Sequence, residues 1–268
     1  MRAALLAVAI AAGTAGCGGD PALDTPSDTP SDTASDTAPG AHADVQSVID
    51  RSIDRHGGDV INRARIEFDF RDYHFVLDRN DGMFSYERTY TDSTGRRHEE
   101  IINNDGIFKN IDGESVRVDS LLHKKIGDDV NSVAYFTLLP IPLNDDAVIK
   151  EDLGSVDMNG EPYRKIGITF RPEGGGRDYQ DRFLVWIHEN AHTMDYFAYY
   201  YFTDETGSRF RVADSVHSVG GARLTDYLNL TYDGLTARTI DRYDELWNAD
   251  SLRLVSEVRI ENVTVYPY

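Results

Sequence analysis

Cysteine is almost absent from this chain: Cys17 is the only one in 268 residues. A single thiol cannot form an internal disulfide, so the fold must be held by its core. Basic residues are also scarce, 27 Lys and Arg against 46 Asp and Glu, for a formal charge of −19. A surface that negative repels phosphate backbones, which excludes nucleic acid as a partner and fits a salt-rich setting that screens self-repulsion. No apolar run is long enough to span a bilayer; the run from Ala3 to Ala12 is too short. No G-x-S-x-G elbow occurs, and the glycines of Glu173-Gly174-Gly175-Gly176-Arg177 lack the Lys-Ser/Thr of a phosphate loop, so they read as a hairpin tip. The carboxylates form no pair that spacing can rank as acid and base.

What is present begins with a leader. Residues 1–16 carry one Arg, an apolar stretch and then small residues, the layout of a secretory signal. Cys17 follows Thr14-Ala15-Gly16, which resembles the lipobox of bacterial lipoproteins and implies that acyl chains on Cys17 anchor the protein to a membrane. Residues 17–43 run GGDPALDTPSDTPSDTASDTAPGAHA after the cysteine, acidic and nearly free of large apolar side chains, and are expected to form an extended tether. Residues 44–268 are read as one folded domain, with 15 Tyr and 11 Phe in the chain to supply its core.

Within that domain Asp44 stands as N-cap before Val45, Val48, Ile49 and Ile53 at helical spacing, with Gly57-Gly58 as the stop. From Arg65 the period changes to two: Ile66, Phe68 and Phe70 alternate with Glu67, Asp69 and Arg71. Asn80-Asp81-Gly82, Asp112-Gly113 and Asn159-Gly160 supply hairpin turns. The apolar segment Val130 to Leu143, ending in two prolines, reads as a helix and loop crossing the sheet, in the manner of a lid. The fold class expected is mainly β (α+β): a strongly curved antiparallel sheet or half-open barrel with an N-terminal helix and a crossover helix.

One motif points to catalysis. His188-Glu189-Asn190-Ala191-His192 matches H-E-x-x-H, which holds zinc when both histidines lie one helical turn apart and the Glu activates water. Phe183 to Ile187 before it and Tyr196 to Phe202 after it favour strands, so the context reads strand, turn, strand. On that reading the histidines are not ligands, and no metal or cofactor is expected. The alternative is a zinc hydrolase with His188 and His192 as ligands, Glu189 as base and Asp214 or His217 as third ligand.

The strands are rich in aromatics. Phe68, Phe70, Phe84, Tyr86, Tyr163, Phe170, Trp186, Tyr196 and Tyr200, with Phe136 from the crossing segment, could line an apolar trough or fill an ordinary core. Arg88 and Arg211, each on an apolar-alternating strand, would then pair with a buried carboxylate or meet an anionic head group.

The order of RSIDRHGG, FDFRDY, FSYERT, VNSVAYFTLLPIPLNDDAV, GGGRDYQDRFLVWI, DYFAYYYF, SRFRVADS and GARLTDYLNL resembles a family of uncharacterised exported bacterial lipoproteins, over about Val45 to Val265. In that family the hairpin carries Trp-Ile-Asp, and here His188 takes the Asp place. More distantly the plan is similar to the lipoprotein-carrier (Lol-type) half-barrel, a curved sheet wrapped around helices. The resemblance implies a lipid or other hydrophobic ligand, and an outer-membrane site facing the periplasm, with an envelope protein as a further partner. It departs in one respect, since the soluble carrier is not anchored whereas Cys17 tethers this chain. A purely structural envelope role is the remaining expectation.

Overall fold

The computed structural model describes residues 44–173, 180–202 and 206–268. The leader, Cys17, the tether and the Gly174–Gly176 tip lie outside the described residues.

Asp44 caps α1 (Val45–Arg55) as the sequence expects, accepting from the Gln46 N–H at 3.4 Å. After α2 (Gly58–Ile61) come β1 (Arg63–Phe70), β2 (Tyr73–Asn80), β3 (Met83–Thr91), β4 (Arg97–Asn103), β5 (Gly106–Ile111) and β6 (Glu114–Ser115). The crossing helix is α3 (Ser120–Leu138). It leads through a 3-10 turn at Ile141–Asn144 into β7 (Val148–Met158), β8 (Glu161–Phe170), β9 (Arg182–His188), β10 (Met194–Tyr201), β11 (Gly207–Val219) and β12 (Ala222–Thr231). A second 3-10 turn (Ile240–Arg242) and α4 (Tyr243–Asn248) precede β13 (Arg253–Val258) and β14 (Glu261–Pro267).

All pairings are antiparallel, and the strands divide over two sheets of seven, in the orders β14-β1-β2-β3-β4-β5-β6 and β13-β12-β11-β10-β9-β8-β7. β1 to β6 and β7 to β13 each run as a meander, because turns such as Asp81-Gly82 and Asn159-Gly160 place both residues at positive φ and match the strand twist. The chain crosses between sheets twice: through α3, and directly from β13 to β14. At the second crossing the Ile260 N–H donates to buried Asp226 Oδ1 at 2.9 Å.

Helices α1, α2 and α3 pack on the inner faces. Ile126, Val130, Ala134 and Leu138, one stripe of α3, lie with Phe68, Phe75 and Leu77 of the first sheet, while Tyr135 and Leu139 turn to Phe183 and Phe197 of the second. Each fully buried Phe of this kind contributes roughly 1.5–3 kcal/mol. α3 begins at Ser120, earlier than the apolar pattern indicates. Its first turns carry exposed Leu121 and Lys125 and owe their start to Asp119, which accepts from the Leu122 N–H at 2.9 Å. The outer face of the second sheet has its own core, Trp186, Phe210 and Tyr243, closed by α4. Lys165 reaches Asp244 at 2.7 Å there and lies over the Trp186 ring at 5.6 Å. Among the described residues no helix is long and apolar enough to cross a membrane.

Candidate functional site

The aromatic residues singled out from sequence do not share one surface. Phe68, Phe70, Phe84 and Tyr86 join the first-sheet core, and Phe136 and Phe170 join the inner core of the second sheet. Tyr163, Trp186, Tyr196 and Tyr200 project to the opposite, outer face of that second sheet. The trough drawn from all of them is therefore divided by the pleat. Val185 and Phe197 point inward, and their strand neighbours Trp186 and Tyr196 point outward.

The inner residues that do converge surround Phe136. This half-buried ring projects from α3 onto β10, stacking on Tyr199 at 5.3 Å and 29° and on Phe197 at 5.5 Å and 18°. Tyr135 meets it edge-on at 5.8 Å, and Phe183 lies at 6.3 Å. Beneath, Tyr227 packs against Phe197 at 5.1 Å, and burial pushes its hydroxyl above the usual tyrosine range. Burial likewise raises Tyr135, whose hydroxyl has no hydrogen-bond partner among the described residues. Sequence reading missed Phe183, Phe197, Tyr199 and Tyr227. In DYFAYYY both parities are aromatic, so alternation alone cannot say which side faces in, whereas the register of Phe197 opposite Arg211 does.

Arg211 stands over this nest. Its guanidinium lies 5.9 Å from both the Phe136 and Tyr199 ring centres, and Nη2 donates to the Tyr199 hydroxyl oxygen at 3.1 Å. Arg88 behaves differently. It donates to Glu100 and, at 3.0 Å, to Asp129 of α3, and Lys109 adds a 2.8 Å bond to Glu100. Burial works against the Glu100 charge, but Arg88 and Lys109 outweigh it and hold that carboxyl below the usual range. Of the two roles open to Arg88 in the sequence, a buried carboxylate and not a head group is what its guanidinium meets among the described residues.

The HENAH segment is a strand, a turn and a strand. His188 ends β9, His192 takes a left-handed φ of 58°, and the His192 N–H donates to the His188 carbonyl at 2.9 Å. His188 Nδ1 accepts from the N–H groups of Asn190 and Ala191 at 3.1 and 3.2 Å, and Nε2 stands 3.5 Å from Glu161. Glu189 contacts Ser155. His217 is bound instead to Asp226 at 3.1 Å, and Asp214 to Arg259. The zinc arrangement needs a helix, and these residues do not form one; among the described residues no cluster of three His, Cys, Asp or Glu is gathered for a metal.

A family model matches residues 39–262, most of the chain. The chain belongs to the family of unknown function DUF6503. No curated protein matches this DUF6503 chain. Among solved structures it is similar to MucB, at 14% identity and a TM-score of 0.27 over 63% of this chain and 57% of that one. The DUF6503 chain thus spans little more than half of MucB. It is also similar to a LolA superfamily protein of Nitrosomonas europaea, at 11% identity and a TM-score of 0.42 over 82% and 90% of the two chains. A DUF1329 family protein of Desulfovibrio piger shares 8% identity at a TM-score of 0.36, over 82% and 92%.

Proposed function

We propose that this protein binds a hydrophobic, chain-like molecule on the inner face of the second sheet, between α3 and strands β9 to β11, without chemically changing it. The observation that carries this reading is Phe136. A half-buried ring laid flat on Phe197 and Tyr199 covers an apolar surface that extends to Phe183 and Tyr227, and it sits on α3, joined to the first sheet by a separate stripe. Moving one side chain would expose a strip of aromatic surface already shaped by the sheet, which suits an acyl chain. Residues 44–268 would form the binding domain, residues 17–43 its tether, and acylated Cys17 its anchor in the envelope.

Native mass spectrometry of the full chain, gently extracted from membranes, tests this. Expected is a bound mass of lipid size, lost on organic extraction and in a Phe136→Asp variant that keeps its circular dichroism. A chain that carries no such mass and is not stabilised by added acyl lipids would favour a purely structural envelope role.

A further inference from the structure

Resting on that reading, we infer that the bound molecule is an anion whose charged end is met by Arg211. β11 sets Arg209 and Arg211 two residues apart, hence on the same inner face, opposite Tyr199 and Phe197 of β10. Neither guanidinium has a carboxylate within ion-pair distance among the described residues. Arg209 lies 5.4 Å over the Tyr201 ring and, among the described residues, donates to the Ser208 carbonyl alone, as Arg211 does to Tyr199. This occurs in a chain with 46 acidic residues, where Arg88 on the other sheet is met by two carboxylates.

The polar atoms around Arg211 are also incomplete. Its Nε–H is buried with no acceptor among the described residues. Asn229, its register partner on β12, is buried, donates from Nδ2 to Ser256 at 3.0 Å, and leaves Oδ1 with no donor among the described residues. A buried donor and a buried acceptor lacking partners on facing residues each cost free energy that a ligand can restore. A head-group oxygen bearing negative charge satisfies Arg211, and a hydroxyl beside it satisfies Asn229. The rings of Phe136 and Tyr199 lower the local dielectric and strengthen the contact. Carboxylate and phosphate share this chemistry.

The test is photo-crosslinking in cells that express the full chain. Three probes carry the same diazirine tail: a fatty acid, a lysophosphatidic acid and a neutral monoacylglycerol. Expected is labelling of wild type by one or both anionic probes on peptides of α3, β10 or β11. Labelling should fall about tenfold or more in Arg211→Gln, as the loss of a charged hydrogen bond implies, and be retained in Arg211→Lys. Which anion labels identifies carboxylate or phosphate. Equal labelling by the neutral probe, unchanged in Arg211→Gln, would overturn the anionic assignment while leaving hydrophobic binding intact. No labelling at these strands by any probe would overturn the binding reading itself. Retention of labelling by the Lys variant separates charge recognition from a folding defect.

Discussion

Arg88 of β3 donates to Asp129 of α3 at 3.0 Å, so the crossing helix is joined by charge to the first sheet, while its aromatic side chains rest on the second. Glu100, 2% exposed, shares the same guanidinium. Arg88→Met would leave Glu100 buried with Lys109 and the Tyr90 hydroxyl as its remaining partners, and should destabilise the domain by about 3–5 kcal/mol. Asp129→Asn removes a more accessible partner and should cost about 1 kcal/mol. Urea unfolding of the two variants checks the order, and equal losses would refute it.

Gly57 follows α1 at a φ of 82°, and a Cβ there would run into the Gly221 carbonyl oxygen of the β11–β12 turn. Gly57→Ala combines a disfavoured backbone with a collision against main chain. It should lose at least about 2 kcal/mol of stability by the same urea assay. A neutral result would mean that the turn is free to retreat.

His56 is 1% exposed, and burial lowers its pKa from 6.5 to about 4; its Nδ1–H donates to the Ser52 carbonyl at 2.8 Å, leaving Nε2 unpaired. The Ser52 hydrogen bond opposes burial, as does Asp195, while Arg223 and Arg55 push in the same direction as burial. The folded state therefore keeps a neutral ring while the unfolded chain takes up a proton below about 6.5. Stability should fall as pH drops from about 6.5 to about 4, with no further loss from this group below that, by about 3 kcal/mol in all. His56→Gln should flatten this part of the unfolding free energy against pH; an unchanged slope would assign the acid sensitivity to carboxylates alone.

The HENAH turn predicts indifference to metal. Chelator should leave the melting temperature unchanged, and Glu189→Gln should behave as wild type. His188→Ala should lose about 1 kcal/mol, because the Asn190 and Ala191 N–H groups lose their acceptor. One zinc per chain, lost in His192→Ala, would contradict this.

Much of the fold was legible because backbone signals are local. The Asp44 cap and the paired positive-φ turns fix where elements start and stop, and the alternation of Ile66, Phe68 and Phe70 fixes the inner face of β1. The site was less legible. β10 is aromatic on both parities, so Trp186 and Tyr196 looked equivalent to Phe197 and Tyr199 until pairing with β11 set the faces. The division into two sheets was hidden as well. β13 is a largely exposed edge with little apolar alternation, and its continuation into β14 depends on Asp226, far away in the chain. What Arg88 and Arg211 do was undecidable from sequence for the same reason: their strands look alike, and only the elements packed above them differ.

The pairing of β1 with β14 sets Ile66 against Val265, and the Tyr268 N–H donates to the Arg63 carbonyl at 2.8 Å. An edge that closes in this way cannot be completed before β14 itself has been made. β1 waits with one side unpaired until β14, far away in the sequence, is available, so the first sheet reaches its final form only through a pairing of high sequence separation.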